Sequence, residues 1–295
     1  MSAAAGAVGA DAVRRGVVKV AAAQMCSTGK VAENMAAIRR LVARAVEAGA
    51  SMLFLPECAL FIGSSAAETK AAAVAIDGAE VAELATVAAD AGLWLSVGGV
   101  HTRVADSEEG KVHNSHLVFD SFGMGSPLAV YHKAHLFDVD LPSGIQLHES
   151  RATEAGNKVV VVGETPVGGL GLGICYDMRF PGLFAAMRAA GADVVTAPSA
   201  FTVPTGEAHW HVLLRARAIE SQCYMIAAAQ VGKHNAKRES YGHTLIVDPW
   251  GKIVAEAADS VVEDIVVADI DLDYLDSVRA SMPVFDHLRP ELYQM

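Results

Sequence analysis

The 295-residue chain is 52 % hydrophobic and 19 % charged, a balance that supports a large buried core. Its 23 basic and 34 acidic residues leave a net charge of −11, which disfavours phosphate backbones and anionic lipid as partners. The longest apolar stretch, Val159–Cys175, is broken by Glu164, Pro166 and several glycines and falls short of a membrane span.

The first 15 residues are small and alanine-rich and lack the apolar core of a secretory signal. They are expected to form a flexible tail ahead of one domain spanning 16–295. Arg14 and Arg15 would suit a short organellar presequence, but Asp11 opposes one, so the expected compartment is the cytoplasm. Val17–Ala23 then reads as a buried strand. Met35, Ile38, Leu41, Val42, Ala45 and Val46 have helical spacing, and Ala48-Gly49 stops the helix. Met52–Leu55 is a strand cut by Pro56, and Ala79–Ala91 is an amphipathic helix ended by Gly92. Trp94–Gly98, Asn114–Phe119 and Leu128–Tyr131 read as strands, separated by polar loops at Asp106–Lys111 and Ser121–Pro127.

The stretch Phe137–Asn157 has no period and carries Pro142, Gly144 and Gly156, as a lip over a site would. Beyond it, Val159–Val162 and Leu170–Ile174 are expected strands, and Pro181–Ala190 is a helix ended by Gly191. Val194–Ala197 is a strand, Glu207–Gln222 a helix, and Tyr224–Ala229, Thr244–Val247 and Ile265–Ile270 are strands. Alternating periods of this kind predict layered α and β structure.

The four cysteines, Cys26, Cys58, Cys175 and Cys223, show neither a CxxC pair nor zinc spacing, so free thiols are expected. Cys175 differs from the other three. It ends the apolar run Leu170–Ile174 and stands just before a helix that begins at Pro181, where backbone amides would favour an oxyanion or thiolate. Cys26, Cys58 and Cys223 read as buried structural residues. Glu57 also follows a strand. Desolvation beside Leu55, Pro56 and Leu60 would push its pKa upward, towards the range of a working base. Lys133 follows Leu128–Tyr131, from where an ammonium could hold an oxyanion and keep Cys175 ionised. Taken singly, each could be an ordinary residue: a buried thiol, a surface glutamate, a solvated lysine.

Three segments occur together in order: Leu53-Phe54-Leu55-Pro56-Glu57, Tyr131-His132-Lys133-Ala134-His135-Leu136 and Cys175-Tyr176-Asp177-Met178-Arg179-Phe180-Pro181. With them the chain resembles the nitrilase-like carbon–nitrogen hydrolases from about Val18 onward. The resemblance implies an α+β fold, a four-layer αββα sandwich whose protomers pair into larger homo-oligomers. It implies Glu57 as base, Cys175 as nucleophile, Lys133 with the Tyr176 amide at the oxyanion, and Glu149 supporting the lysine. It implies no metal and no organic cofactor. Later runs, His209–Glu220, Ser240–His243 and Asp248–Gly251, resemble the amidases of that family, although His211 stands where relatives usually carry an acidic residue.

The ending Met282–Pro290 resembles amidases acting on the α-keto-acid form of glutathione, with 2-oxoglutarate and cysteinylglycine as products. A carboxylate on such a substrate needs a cation or hydroxyl partner, for which Arg179 and Thr205 are placed, with Phe201 and Met178 as apolar wall. Arg179 could instead be tied up by Asp177 or Glu57. Three other substrate classes remain open: the ω-amidase substrate 2-oxoglutaramate, then N-carbamoyl amino acids, and last nitriles. A low-turnover binding protein is a different class, weakened by the intact nucleophile. A papain-like enzyme is disfavoured because no such signature surrounds Cys175.

Overall fold

The computed structural model describes residues 15–292, apart from 106, 108, 124, 141–145, 259 and 260. Residues 1–14 of the expected tail, and Pro142 and Gly144 of the expected lip, therefore lie outside the described residues.

The first half of the chain builds one sheet with its helices. β1 (Val17–Met25) and β2 (Met52–Leu55) are parallel, so α1 (Val31–Glu47) must cross between them. α2 (Ala66–Ala71) and α3 (Ala79–Ala91) lead into β3 (Trp94–Arg103), parallel to β2. β4 (Val112–Phe119) and β5 (Ala129–His132) continue the sheet antiparallel. A small hairpin of β6 (Asp138–Asp140) and β7 (Gln146–His148) stands apart.

The second half builds the other sheet. β8 (Val161–Thr165), β9 (Gly168–Gly171), α4 (Pro181–Ala189), β10 (Val194–Thr196), α5 (Val203–Ser221) and β11 (Tyr224–Ala227) follow in turn. β12 (Ala229–Lys233) and β13 (Glu239–Tyr241) return to the first sheet, and β14 (Leu245–Val247) and β15 (Ile253–Glu256) to the second. β16 (Asp264–Asp271) lies antiparallel along β1, and α6 (Leu272–Ser281) follows. The sheets order as β13-β12-β1-β2-β3-β4-β5, with β16 also on β1, and as β15-β14-β11-β10-β9-β8.

Period-two alternation makes this a four-layer structure. Ala21 and Ala23 of β1 pack with Ile38 and Leu41 of α1 and Leu84 of α3. Val20 and Ala22 of the same strand join Leu170, Val194 and Met225 of the other sheet, in a core that also takes Trp210 and Leu214 of α5. Helices thus cover both outer faces and the sheets meet inside, the αββα order. Each fully buried Leu, Ile or Met contributes roughly 1.5–3 kcal/mol.

Several elements differ from expectation. Tyr224–Ala229 is not one strand: the chain leaves the second sheet after Ala227 and joins the first at Ala229, through an apolar run that carries no mark of the switch. The helix expected from Glu207 begins at Val203, because Pro204 is tolerated in a first turn where its missing N–H is no loss. The amphipathic α6, capped by Asp271 Oδ1 accepting from Tyr274 N, was not anticipated at all.

Candidate active site

β5 runs in the same direction as β2 and β3, since two antiparallel steps separate it from β3. Residues just past the ends of β2 and β5 therefore meet at one sheet edge. Glu57 and Lys133 do so: Lys133 Nζ donates to Glu57 Oε1 at 3.0 Å and to Glu149 Oε2 at 2.8 Å. Asn114 Nδ2 donates to both carboxylates, at 2.9 Å to Glu57 and 3.0 Å to Glu149. Ala200 N donates to Glu57 Oε2 and Phe137 N to Glu149 Oε2, at 2.9 and 2.8 Å. The place a divalent ion would take between the two carboxylates is thus filled by an ammonium.

Glu57 is seated against Gly99. A Cβ there would lie 2.5 Å from Glu57 Cγ, and Gly99 has φ +66°. Cys58, at φ 59°, donates its N–H to Gly99 O at 2.9 Å, which closes the turn that presents Glu57.

Cys175 reaches the same place from the other sheet. It opens a 3₁₀ turn, Cys175–Arg179, with φ 46°, a left-handed conformation that costs a non-glycine residue on the order of 1–3 kcal/mol. Its N–H donates to Pro198 O at 3.0 Å. Buried Asp177 ties this turn to the lysine segment. Its Oδ2 accepts from Ile174 N at 2.9 Å and Tyr131 Oη at 2.8 Å, and its Oδ1 accepts from His135 N at 3.1 Å. Tyr176 packs edge-on against Phe137 and Phe180. Its amide lies in the first turn of that 3₁₀ segment, where N–H groups lack internal acceptors.

The electrostatics correct two expectations. Burial does raise Glu57, but the Lys133 charge and hydrogen bonds from Lys133, Cys175 and Asn114 outweigh it, so Glu57 sits below the usual carboxylate range. Burial, reinforced by the Glu57 charge, pushes the Cys175 thiol well above its ordinary value, and Lys133 does not reverse this. Lys133 itself is held protonated, since Glu149 and Glu57 outweigh its burial. The resting site is therefore a carboxylate, an ammonium and a neutral thiol.

These groups line a cavity of about 520 Å³. The expected lip supplies part of its wall through Phe137, His148, Glu149 and Thr153, and the rest includes Ser64, Thr69, His101, Lys237 and Arg238. Burial lowers His101 to about 4, which leaves it neutral. Cys58, read as structural, also lines the cavity. Its thiol is raised to about 12 by burial and the neighbouring Glu57 charge.

Arg179, Thr205, Phe201 and Met178 do not line this cavity. Met178 is fully buried, and Thr205 Oγ1 lies 2.8 Å from Thr202 Oγ1. Arg179 rests on the Phe201 and Tyr176 rings and lies 3.3 Å from His209 Nδ1. It is not consumed by Asp177 or Glu57, whose oxygens have the partners given above. His211 is also remote: with His243 it bonds Glu256 Oε1, at 2.7 and 2.9 Å, forming among the described residues a three-donor cluster away from the cavity. Asn114 and Asp177 were missed as site residues. Asp177 lies inside the Cys175–Pro181 segment and Asn114 opens an expected strand, but their pairings join elements far apart in sequence.

The carbon-nitrogen hydrolase family model matches residues 19–280. The chain is 45 % identical over 276 residues to the nitrilase and fragile histidine triad fusion protein NitFhit of Caenorhabditis elegans, covering 94 % of this chain but only 62 % of that protein. The crystal structure of that fusion protein has a TM-score of 0.87 at 43 % identity, covering 96 % of this chain and 67 % of that one. The deaminated glutathione amidase of Bos taurus is 45 % identical over 275 residues, covering 93 % of this chain and 83 % of that protein. A mutant amidase from Nesterenkonia sp. AN1, showing Michael addition of acrylamide at its active site cysteine, has a TM-score of 0.72 at 26 % identity, covering 90 % of this chain and 98 % of that one.

Proposed function

The chain belongs to the carbon–nitrogen hydrolase family and hydrolyses amide carbon–nitrogen bonds, and on that premise we propose that its substrate is deaminated glutathione, cleaved to 2-oxoglutarate and cysteinylglycine. The observation that carries the proposal is Glu57, Lys133 and Cys175 converging at the wall of a 520 Å³ cavity in a chain 45 % identical to amidases named for that substrate.

The chemistry runs through Cys175. Glu57, already ionised, takes the thiol proton as Sγ adds to the amide carbon. Lys133 and the Tyr176 amide hold the oxyanion. Collapse breaks the C–N bond, and Glu57 returns the proton to the departing amine nitrogen, leaving a thioester. Water enters, gives a proton to Glu57 and adds to the thioester carbon. Collapse then expels the thiolate, which recovers the proton, and 2-oxoglutarate leaves. Glu149 and Asn114 keep Lys133 and Glu57 in register. Arg179 has no carboxylate of its own among the described residues, but it lies outside the cavity lining and is given no step in this chemistry.

Side-by-side kinetics on deaminated glutathione, 2-oxoglutaramate and an N-carbamoyl amino acid test the proposal. The first should show the highest kcat/KM. A tenfold preference for 2-oxoglutaramate would reassign the substrate while leaving the family chemistry intact. We also propose a homo-oligomer, because Val212 and Ile219 of α5 and nearby Trp250 expose apolar surface; sedimentation as a monomer at micromolar concentration would rule it out.

A further inference from the structure

The β12–β13 connection carries two adjacent cations, Lys237 and Arg238, both lining the catalytic cavity and both exposed. Neither forms an ion pair with another described residue, in a chain with an excess of acidic groups. Glu68, whose carboxylate feels the Lys237 charge, is engaged by Ser64 N and Oγ at 2.8 and 2.7 Å.

The loop that presents them is built rather than loose. Asn235 Oδ1 accepts from Lys237 N at 2.9 Å and Arg238 N at 3.1 Å, and His234 N donates to Arg238 O at 2.9 Å. Buried His234 anchors the loop, with Nδ1 2.9 Å from Ser27 O and Nε2 2.8 Å from Ser240 Oγ. These bonds hold the backbone of the pair and leave two unpaired cationic heads at the cavity wall of an acidic protein, where an anion would be attracted.

We propose that Lys237 and Arg238 form a carboxylate subsite for the leaving-group side of the amide, so that the preferred substrate departs as an amine bearing a carboxylate, such as a short peptide, rather than as ammonia. The inference rests on the amidase reading above and deepens it. Lys237 and Arg238 share the cavity wall with Cys175, Ser64 and Thr69, whereas Arg179 rests on Tyr176 and Phe201 outside that lining. A terminal carboxylate on the leaving-group side of the amide is complementary to the Lys237–Arg238 pair. The tail contacts hold the amide carbon near Sγ before reaction, so their loss shows first as weaker binding.

The test uses purified full-length enzyme and three substrates: deaminated glutathione, its analogue with the terminal carboxylate converted to a carboxamide, and 2-oxoglutaramate. The double variant Lys237→Gln/Arg238→Gln should raise KM for deaminated glutathione roughly tenfold or more, the scale of one lost charge-assisted contact. Its kcat should change little, and its kcat/KM on 2-oxoglutaramate should stay within about twofold. Wild-type enzyme should lose a similar factor on the carboxamide analogue, and the variant should lose no more on that analogue than wild type does.

Equal losses on deaminated glutathione and 2-oxoglutaramate would assign the pair to the keto-acid end or to structure and overturn the subsite. Unchanged kinetics on every substrate would show two idle surface cations and overturn it equally. Failure of wild-type enzyme to turn over deaminated glutathione would instead remove the substrate reading on which the subsite rests, a result seen before any variant is made.

Discussion

The Lys133 ammonium lies 3.0 Å from Glu57 Oε1, and both side chains are almost wholly withdrawn from solvent. With Glu149 2.8 Å from the same nitrogen, one cation serves two carboxylates. Removing it therefore does two kinds of damage. Lys133→Ala should strip the proposed oxyanion donor, a loss of about 10²–10³ in turnover. It also leaves buried negative charge uncompensated, at about 3–5 kcal/mol of stability. Steady-state kinetics and denaturant unfolding measure the two separately, and a variant within tenfold of wild-type turnover would remove Lys133 from the chemistry.

The charge state of the resting site fixes the pH profile. Glu57 is depressed below its ordinary value of 4.5, so it remains a competent base until acid reaches that lowered pKa. The Cys175 thiol is raised well above 9.0 and Lys133 above 10.5, so neither titrates near neutrality. The kcat/KM profile should be flat from about pH 5 to 9, as these groups set the limits for free enzyme. A depressed carboxylate contributes stability that is present above its unfolded pKa and lost as pH falls through the folded one. The Glu57 contribution should accordingly vanish only in acid below about pH 4.5. A kinetic inflection between pH 6 and 8 that persists with an uncharged substrate would contradict the charge assignment.

Two thiols line the cavity, and the proposed chemistry uses only Cys175. Burial and the Glu57 charge raise both thiols, but only Cys175, on a strained turn, is hydrogen-bonded to the Glu57 carboxylate; Cys58 feels that carboxylate only through its charge. Cys175→Ala should abolish turnover and labelling by an electrophilic amide analogue, with the fold retained. Cys58→Ala should keep more than about a tenth of wild-type activity, its loss being one of packing. Intact-mass analysis after labelling decides between them, and adduct formation in the Cys175→Ala protein would shift the nucleophile.

Asn114 Nδ2 bridges Glu57 and Glu149, while its buried Oδ1 finds no partner among the described residues. Asn114→Asp, of nearly the same shape, would replace the shared donor by an acceptor and crowd three carboxyls around one lysine. Turnover should fall by roughly 10²-fold through misplacement of Glu57. The kcat/KM profile should also gain an acid-side inflection above that of wild type. A variant with wild-type kcat and an unchanged profile would show that Lys133 positions both carboxylates unaided.

The convergence of Glu57, Lys133 and Cys175 was legible in part because each follows an apolar run, and the ends of such runs are marked in sequence. Pro56 cuts β2 just before Glu57, and a short apolar run precedes Lys133 as another precedes Cys175. What holds those residues was not legible. The Asp177–Tyr131 and Asn114–Glu57 bonds join segments tens of residues apart, and no local period reports such pairings. The charge states were misread for the same reason. Burial of Glu57 could be guessed from its apolar neighbours, but a lysine 76 positions away decides the sign. The sheet switch at Ala228 was invisible because both sheets accept the same small apolar residues.

Gly99 tests whether the seat of Glu57 is as confined as its contacts imply. The residue has φ +66°, and an added Cβ would approach Glu57 Cγ to 2.5 Å, Cys58 N to 2.8 Å and Glu57 Cα to 2.9 Å. Two of those atoms are backbone and cannot swing aside, so Gly99→Ala must move the Glu57–Cys58 turn. Left-handed backbone alone costs a non-glycine residue about 1–2 kcal/mol. The steric shift adds to that and loosens the Cys58 N–Gly99 O bond. Gly49 provides the control, at φ +74° with nothing within 4 Å of its Cβ position. Both alanine variants should lower Tm by a few degrees, Gly99→Ala by more. Only Gly99→Ala should lower kcat, by about tenfold or more as Glu57 is displaced from Cys175 and Lys133. Equal stability losses with full activity in both would mean that the turn absorbs the methyl group and that Gly99 is retained for its backbone alone.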